Sequence, residues 1–123
     1  MKIEVSNGEV IDKFTILEIK LMFIDDPVKI KNVRKEYDEI MPAAKEVINL
    51  DHKLVNDLRA VNIRLWKIED AIRAKEKDGD FGPEFVDLSR SVYKNNDLRA
   101  NIKREINILT GSGLREEKSY SNY

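Results

Sequence analysis

The 123-residue chain carries 22 Lys and Arg against 23 Asp and Glu, a formal net charge of -1, so no overall field draws it to nucleic acid or to an anionic membrane surface. Cysteine is absent, which excludes disulfides and thiol chemistry, and the single histidine, His52, excludes a multi-histidine metal site. Residues 1–6 lack the basic-then-apolar layout of a secretory signal and no apolar run approaches the length of a bilayer, so the expectation is a cytoplasmic protein outside the membrane, one domain over residues 1–123.

The chain reads as an all-α bundle. Ser6 followed three residues later by Glu9 is a capping-box pattern, in which the hydroxyl takes one free backbone N–H and the carboxylate returns to another. A first helix is predicted over about 7–24, with Val10, Phe14, Leu17, Leu21 and Ile24 on one stripe. Ile11, Ile16, Ile19, Met22 and Phe23 make it apolar on nearly every side, so it should be surrounded. Asp25-Asp26-Pro27 then sets a capping carboxylate before a proline whose missing N–H costs nothing at the first helical position.

From Ile30 to Ile72 an apolar stripe keeps heptad phase through Val33, Tyr37, Ile40, Ala44, Val47, Leu54, Leu58, Val61, Leu65 and Ile68, broken only by Asp51. Pro42 lies within it. An interior proline costs about 3 kcal/mol or more, yet the phase is the same on both sides and Pro42 falls on the outward face. The reading is therefore one long helix over about 27–77, bent at Pro42, which at 1.5 Å per residue would span roughly 75 Å. Asp78-Gly79-Asp80-Phe81-Gly82-Pro83 supplies the reversal, and a last helix follows over about 83–110, ended by Gly111 in the left-handed conformation. Residues 112–123 are a polar C-terminal tail in which Leu114, Tyr120 and Tyr123 are the candidates for docking.

These joints fold the first helix back on the front half of the long one and the last helix back on its rear half, an antiparallel arrangement only two helices deep. Much of each apolar face would stay wet, and the simplest remedy is a homodimer in which two such layers face each other.

The chemical candidates are few. The last helix carries its seam through Phe85, Leu88, Val92, Asn95, Arg99, Ile102, Ile106 and Leu109, and two of these are polar. An enclosed guanidinium needs a carboxylate, a ligand anion or water, so Asn95 and Arg99 form either a register-setting polar layer or a pocket for a small anionic group. Glu18, partly enclosed on the first helix, is a candidate partner for Arg99 and the third member of that pocket. Asp51 is a seam carboxylate followed by His52, and neighbours on a helix point apart, so the two make no catalytic pair.

Carboxylates three apart at Glu9/Asp12, Glu36/Glu39 and Glu84/Asp87 share a helix face and have the donor chemistry for magnesium. Glu36, Glu39, Glu84 and Asp87 resemble the ExxE and later ExxD of all-α nucleotide pyrophosphohydrolases, but with a much longer separation than that family's pattern. Arg90, Lys94 and Arg104 share a side of the last helix with Glu84, Asp87, Asp97 and Glu105 close by, the composition of a solvated, ion-paired face. No stacking aromatics interleave with the basic residues, so nucleic acid is not an expected partner, and Trp66 and Tyr93 read as packing residues at the edge of the seam.

A wider resemblance rests on Gly8-Glu9-Val10-Ile11-Asp12-Lys13, Ile16-Leu17-Glu18-Ile19-Lys20, Leu65-Trp66-Lys67-Ile68-Glu69-Asp70, Asp80-Phe81-Gly82, Asn96-Asp97-Leu98-Arg99 and Thr110-Gly111-Ser112. With these segments the chain resembles, over almost its whole length, a small bacterial and phage family of domains of unknown function. The resemblance implies one intact domain and directs attention to Glu9, Asp12, Lys13, Glu18, Lys20 and Arg99. The functional expectation is a self-associating interaction or accessory module that needs no cofactor. The alternative is a magnesium-dependent nucleotide pyrophosphohydrolase-like enzyme or a binder of a small anionic metabolite.

Overall fold

A computed structural model describes residues 1–114 and Glu117. Four helices follow one another, α1 (Asn7–Phe23), α2 (Pro27–Val47), α3 (Lys53–Asp78) and α4 (Pro83–Thr110), and there is no strand among the described residues. Their ends obey the local chemistry. The Ser6 hydroxyl accepts from the Glu9 N–H at 3.2 Å, and the Asp26 carboxylate accepts from the N–H groups of Val28 and Lys29 ahead of Pro27. Gly79 and Gly111 close α3 and α4 at φ +66°, where a side chain would be strained. In the α3–α4 turn the Asp80 carboxylate accepts from the Gly82 N–H at 3.1 Å and pairs with Lys75, and these two contacts hold its pKa below the ordinary value.

The single long helix over 27–77 is corrected by the structure. The helix does continue through Pro42, which is exposed as expected, but it ends at Val47 and a new one begins at Lys53. The break has a side-chain cause. Asn49 Oδ1 accepts from the Asp51 N–H at 2.8 Å, His52 Nδ1 accepts from the Leu54 N–H at 3.0 Å as the N-cap of α3, and Ile48 is extended. Asn, Asp and His here offer the backbone a substitute for helical bonds, and a turn results. Asp51, expected in the seam, is an exposed turn residue, and His52 works as a helix cap. The heptad phase survives the break because both helices present their stripes to one core.

That core sits where α1 meets the other helices. Ile11 and Phe14 of α1 pack with Ala44 of α2, Val55, Leu58 and Val61 of α3, and Ile102 and Ile106 of α4, all buried. The contacts put α1 against α2, α3 and α4, and α3 against α4. The surround that the apolar girdle of α1 demands is therefore supplied within one chain. Beyond the core, α3 and α4 extend together: no residue from 63 to 78 or from 83 to 101 is buried.

At Pro42 the missing N–H leaves the helix one bond short with no burial in return. Pro42→Ala should therefore raise stability by about 1–2 kcal/mol, the helix penalty less the entropy the proline removes from the unfolded chain, as read by urea denaturation. No change or a loss would mean that the bend itself is needed for packing.

Candidate functional site

Where α1, α3 and α4 meet, the interior is charged. Asp12, third residue before Thr15 on α1, is 1% exposed, yet it carries a carboxylate. The structure neutralises it from two sides. From α4, Arg99 donates through Nε to Oδ1 at 2.9 Å and through a second guanidinium nitrogen to Oδ2, a two-pronged pairing. Lys103, one turn on, lies 3.9 Å from the same Oδ2 and 2.7 Å from the Glu9 carboxylate. From α3, Asn62 Nδ2 donates to Asp12 Oδ1 and to Thr15 Oγ1, each at 2.9 Å, while the Thr15 hydroxyl donates to the Asp12 carbonyl. No buried side-chain nitrogen or oxygen among the described residues lacks a partner.

The approach of α4 to α1 is set one turn earlier. A Cβ on Gly8 would stand 2.5 Å from the Lys103 carbonyl oxygen, so only glycine lets the two backbones come this close. The free N–H groups of the first turn of α1 are then used. Gly8 N–H donates to Asn107 Oδ1 at 2.6 Å, Asn7 N–H to Ser112 Oγ at 3.0 Å, and the Asn7 side chain to Thr110 Oγ1 at 2.9 Å. Gly8, Asp12 and Thr15 on α1 thus face Arg99, Lys103 and Asn107, a polar stripe with a spacing of four on α4.

Arg99 meets Asp12, and the Glu18 expected as its partner belongs to a second, smaller cluster. Arg59 of α3 donates to Glu18 Oε1 at 2.9 Å, to the Leu50 carbonyl at 2.7 Å and to Asn56 Oδ1, while its guanidinium lies 5.8 Å from the centre of the Phe14 ring. It ties the 48–52 turn to α1. Phe14 stacks on Tyr37 of α2 at 5.6 Å. Burial, with the Glu18 charge next in size, raises the Tyr37 phenol above its ordinary value of 10.0.

The third expected pocket residue, Asn95, is elsewhere again, accepting from Arg64 Nε at 3.1 Å and donating to the Ser91 carbonyl. Glu36 and Glu39 are exposed on α2, with Lys13 3.5 Å from Glu36, and Glu84 and Asp87 are exposed on α4, with Lys75 2.7 Å from Glu84. Among the described residues no three His, Cys, Asp or Glu side chains converge as a metal would need. Trp66 stacks on Phe23 at 5.8 Å, a packing role as read. Arg104 binds both carboxylate oxygens of Glu117 at 2.8 Å, and Tyr120 and Tyr123 lie outside the described residues.

Asn62, Thr15, Lys103 and Asn107 were not singled out by the sequence. The signal available was the i, i+4, i+8 run of Arg99, Lys103 and Asn107 beside apolar Ile102 and Ile106, a polar stripe too close to the core to be solvated. Among the described residues the cluster sets Asp12 and Glu9 against Arg99 and Lys103. Its contacts are those of a lock between three helices.

The chain belongs to a family of unknown function (DUF6165), which matches residues 1–123. No curated protein and no solved structure matches it. No helix of the described residues is long and apolar enough to cross a membrane.

Removing the carboxylate should take from Arg99 its two-pronged pairing, from Lys103 one of its carboxylates and from Asn62 an acceptor. Asp12→Ala is expected to lose about 3–5 kcal/mol in urea denaturation, whereas breaking the exposed Glu69–Arg73 pair with Arg73→Ala should stay within about 1 kcal/mol. Equal effects would show that the cluster is no lock. In alkali, Tyr37 should ionise above pH 10 by ultraviolet titration, and Tyr37→Phe should remove that step. Because the folded pKa is the higher one, the stability tied to the neutral phenol is complete below pH 10 and is lost as pH rises through the folded value.

Proposed function

We propose that the chain is a helical interaction module that works as a homodimer, presenting the α3–α4 pair to a second copy. The observation that carries this is the uncovered length of that pair. Leu65, Ile68, Ile72, Phe85, Leu88 and Val92 are covered in part, and Phe81, Val86 and Leu98 are exposed at 55%, 41% and 42%. No other helix covers this length of the pair, and exposed apolar surface marks a partner site. Charges of both signs line the same stretch, among them Lys67, Glu69, Asp70, Arg73, Asp87 and Arg90, a composition that suits contact with a like surface rather than with a polyanion.

The reading needs no cofactor and places the protein in the cytoplasm. The alternative, magnesium-dependent chemistry on a nucleotide or capture of a small anion, has less behind it. Its carboxylate pairs are exposed on separate helices, and its anion-binding arginine is already matched to Asp12.

Light scattering coupled to size exclusion should give a mass near twice 14.3 kDa, with a melting temperature that rises with protein concentration. A mass of 14.3 kDa at every concentration would overturn the proposal. A melting temperature unmoved by concentration but raised by magnesium with a nucleotide would favour the alternative.

A further inference from the structure

The four helices are two hairpins joined at one turn. α1 packs on α2 and α3 packs on α4, and the two pairs meet through α1, which lies against both α3 and α4, while α2 has little contact with either. The charges divide in the same way. Asp12, Glu9 and Glu18 on the first hairpin pair with Arg99, Lys103 and Arg59 on the second. The link between the hairpins is the turn at residues 48–52, between Val47 and Lys53.

That turn is held by hydrogen bonds close to it in sequence. Asn49 Oδ1 and His52 Nδ1 accept from the N–H groups of Asp51 and Leu54, while Asn56 donates to the Asp51 carbonyl and Arg59 to the Leu50 carbonyl. In a straightened chain the backbone of these residues forms helical bonds instead, so opening exchanges one set of hydrogen bonds for another. The apolar stripe suits that second form. Two helices joined by a turn can face α1 in any relative register, because the turn lets each rotate about its own axis. Here Tyr37, Ala44 and Val47 before the turn and Leu54, Leu58 and Val61 after it keep one count of sevens through position 51. A helix running straight from α2 into α3 needs that count, since only then do both stripes lie on one side.

We infer that two copies exchange hairpins: α2 and α3 straighten at residues 48–52, and α1 of each copy lies in the α3–α4 groove of the other. The occupant is set by the chemistry of that groove. Asn107 and the Lys103 carbonyl fit a helix start with a glycine, and Arg99 and Asn62 fit a carboxylate one turn later, which together describe α1 and no other helix of the chain. Every contact between α1 and the second hairpin is re-formed with the same partners, now between copies. Such an exchange is a low-cost route to a dimer, because it needs no surface beyond those the closed chain already has. It does not draw on the uncovered length of α3 and α4, so it stands apart from the contact face proposed above.

The test traps one contact between the hairpins and reads which chain supplies it. Asn7 Nδ2 and Thr110 Oγ1 lie 2.9 Å apart, at the end of α4 away from its uncovered half. In a chain with no other cysteine, Asn7→Cys with Thr110→Cys sets two thiols within reach of a short thiol-to-thiol crosslinker. The protein is refolded from urea at low and at high concentration, crosslinked, and run on a denaturing gel. A link within one chain runs at 14.3 kDa, and a link between exchanged hairpins at twice that mass. The doubled band is expected after refolding at high concentration. Adding Asn49→Ala and His52→Ala removes two acceptors that hold the turn and favours helix there, so the share of the doubled band should rise about tenfold. Inserting four glycine and serine residues after Leu50 interrupts a straightened helix while leaving the turn free to close, and the band should fall. Links that stay within one chain at every concentration, in the alanine variant as well, would overturn the exchange. If the same protein is then a dimer by light scattering, the homodimer reading stands without it; if it is a monomer, both are lost.

Discussion

Asp12 is the constraint from which the arrangement of helices follows. A carboxylate on a helix that is apolar on nearly every side cannot be turned to water once that helix is enclosed, and an unpaired interior ion costs several kcal/mol. It can stay charged only if cations come to it. Arg99 and Lys103 do so from α4 and Asn62 donates from α3, so one side chain fixes the placement of three helices. The exposed pairs, such as Lys53–Asp57 and Glu69–Arg73, have no comparable leverage, because water competes for both partners.

The charged contact in turn depends on how near the backbones come. Gly8 and the Lys103 carbonyl set the separation of α1 and α4, and Asn107 both fills the gap and accepts a hydrogen bond from an N–H that the start of α1 leaves free. A longer separation would carry Arg99 and Lys103 away from Asp12. Close approach, capping and charge neutralisation therefore reinforce one another at one end of α1, and the apolar core of Ile11, Phe14, Ile102 and Ile106 lies directly beside them.

Much of this was legible in the sequence, but unevenly. The ends of the helices were clear because capping is local chemistry: Ser6, Asp26-Pro27 and Gly79 act on backbone within four residues of themselves. The continuity through Pro42 was also readable, since a proline on the outward face removes a bond without disturbing the core. The break at residues 48–52 was hidden by the same evidence. A phase that two helices share because both face α1 looks like the phase of one helix, and only Asn49, Asp51 and His52, all able to bond their own backbone, hinted otherwise. Of the expected pocket, Arg99 stood out because it lies in a seam, whereas Glu18, its candidate partner, pairs with Arg59 instead. Glu18 and Asp12 lie six residues apart on α1, and which of them faces α4 depends on the crossing of helices, which spacing along the chain does not contain. Gly8 was unreadable for the same reason, since close approach belongs to two segments at once.

The division of labour along α4 connects this architecture to the association proposed above. Its second half faces α1 and α3, and its charges there are matched inside the chain, Arg99 and Lys103 to Asp12 and Glu9. Its first half has only α3 beside it and no buried residue. Because one unbroken helix of 28 residues runs through both halves, the lock at Asp12 holds the uncovered half in a fixed position instead of leaving it as a free hairpin. A surface held that way loses little conformational freedom on meeting a partner, which is the condition under which a modest apolar face suffices for binding. The buried charges thus act on the far half of the helix pair as well as on the core. Their effect is to hold the exposed length of the same helix pair in place, the surface proposed above for a second copy.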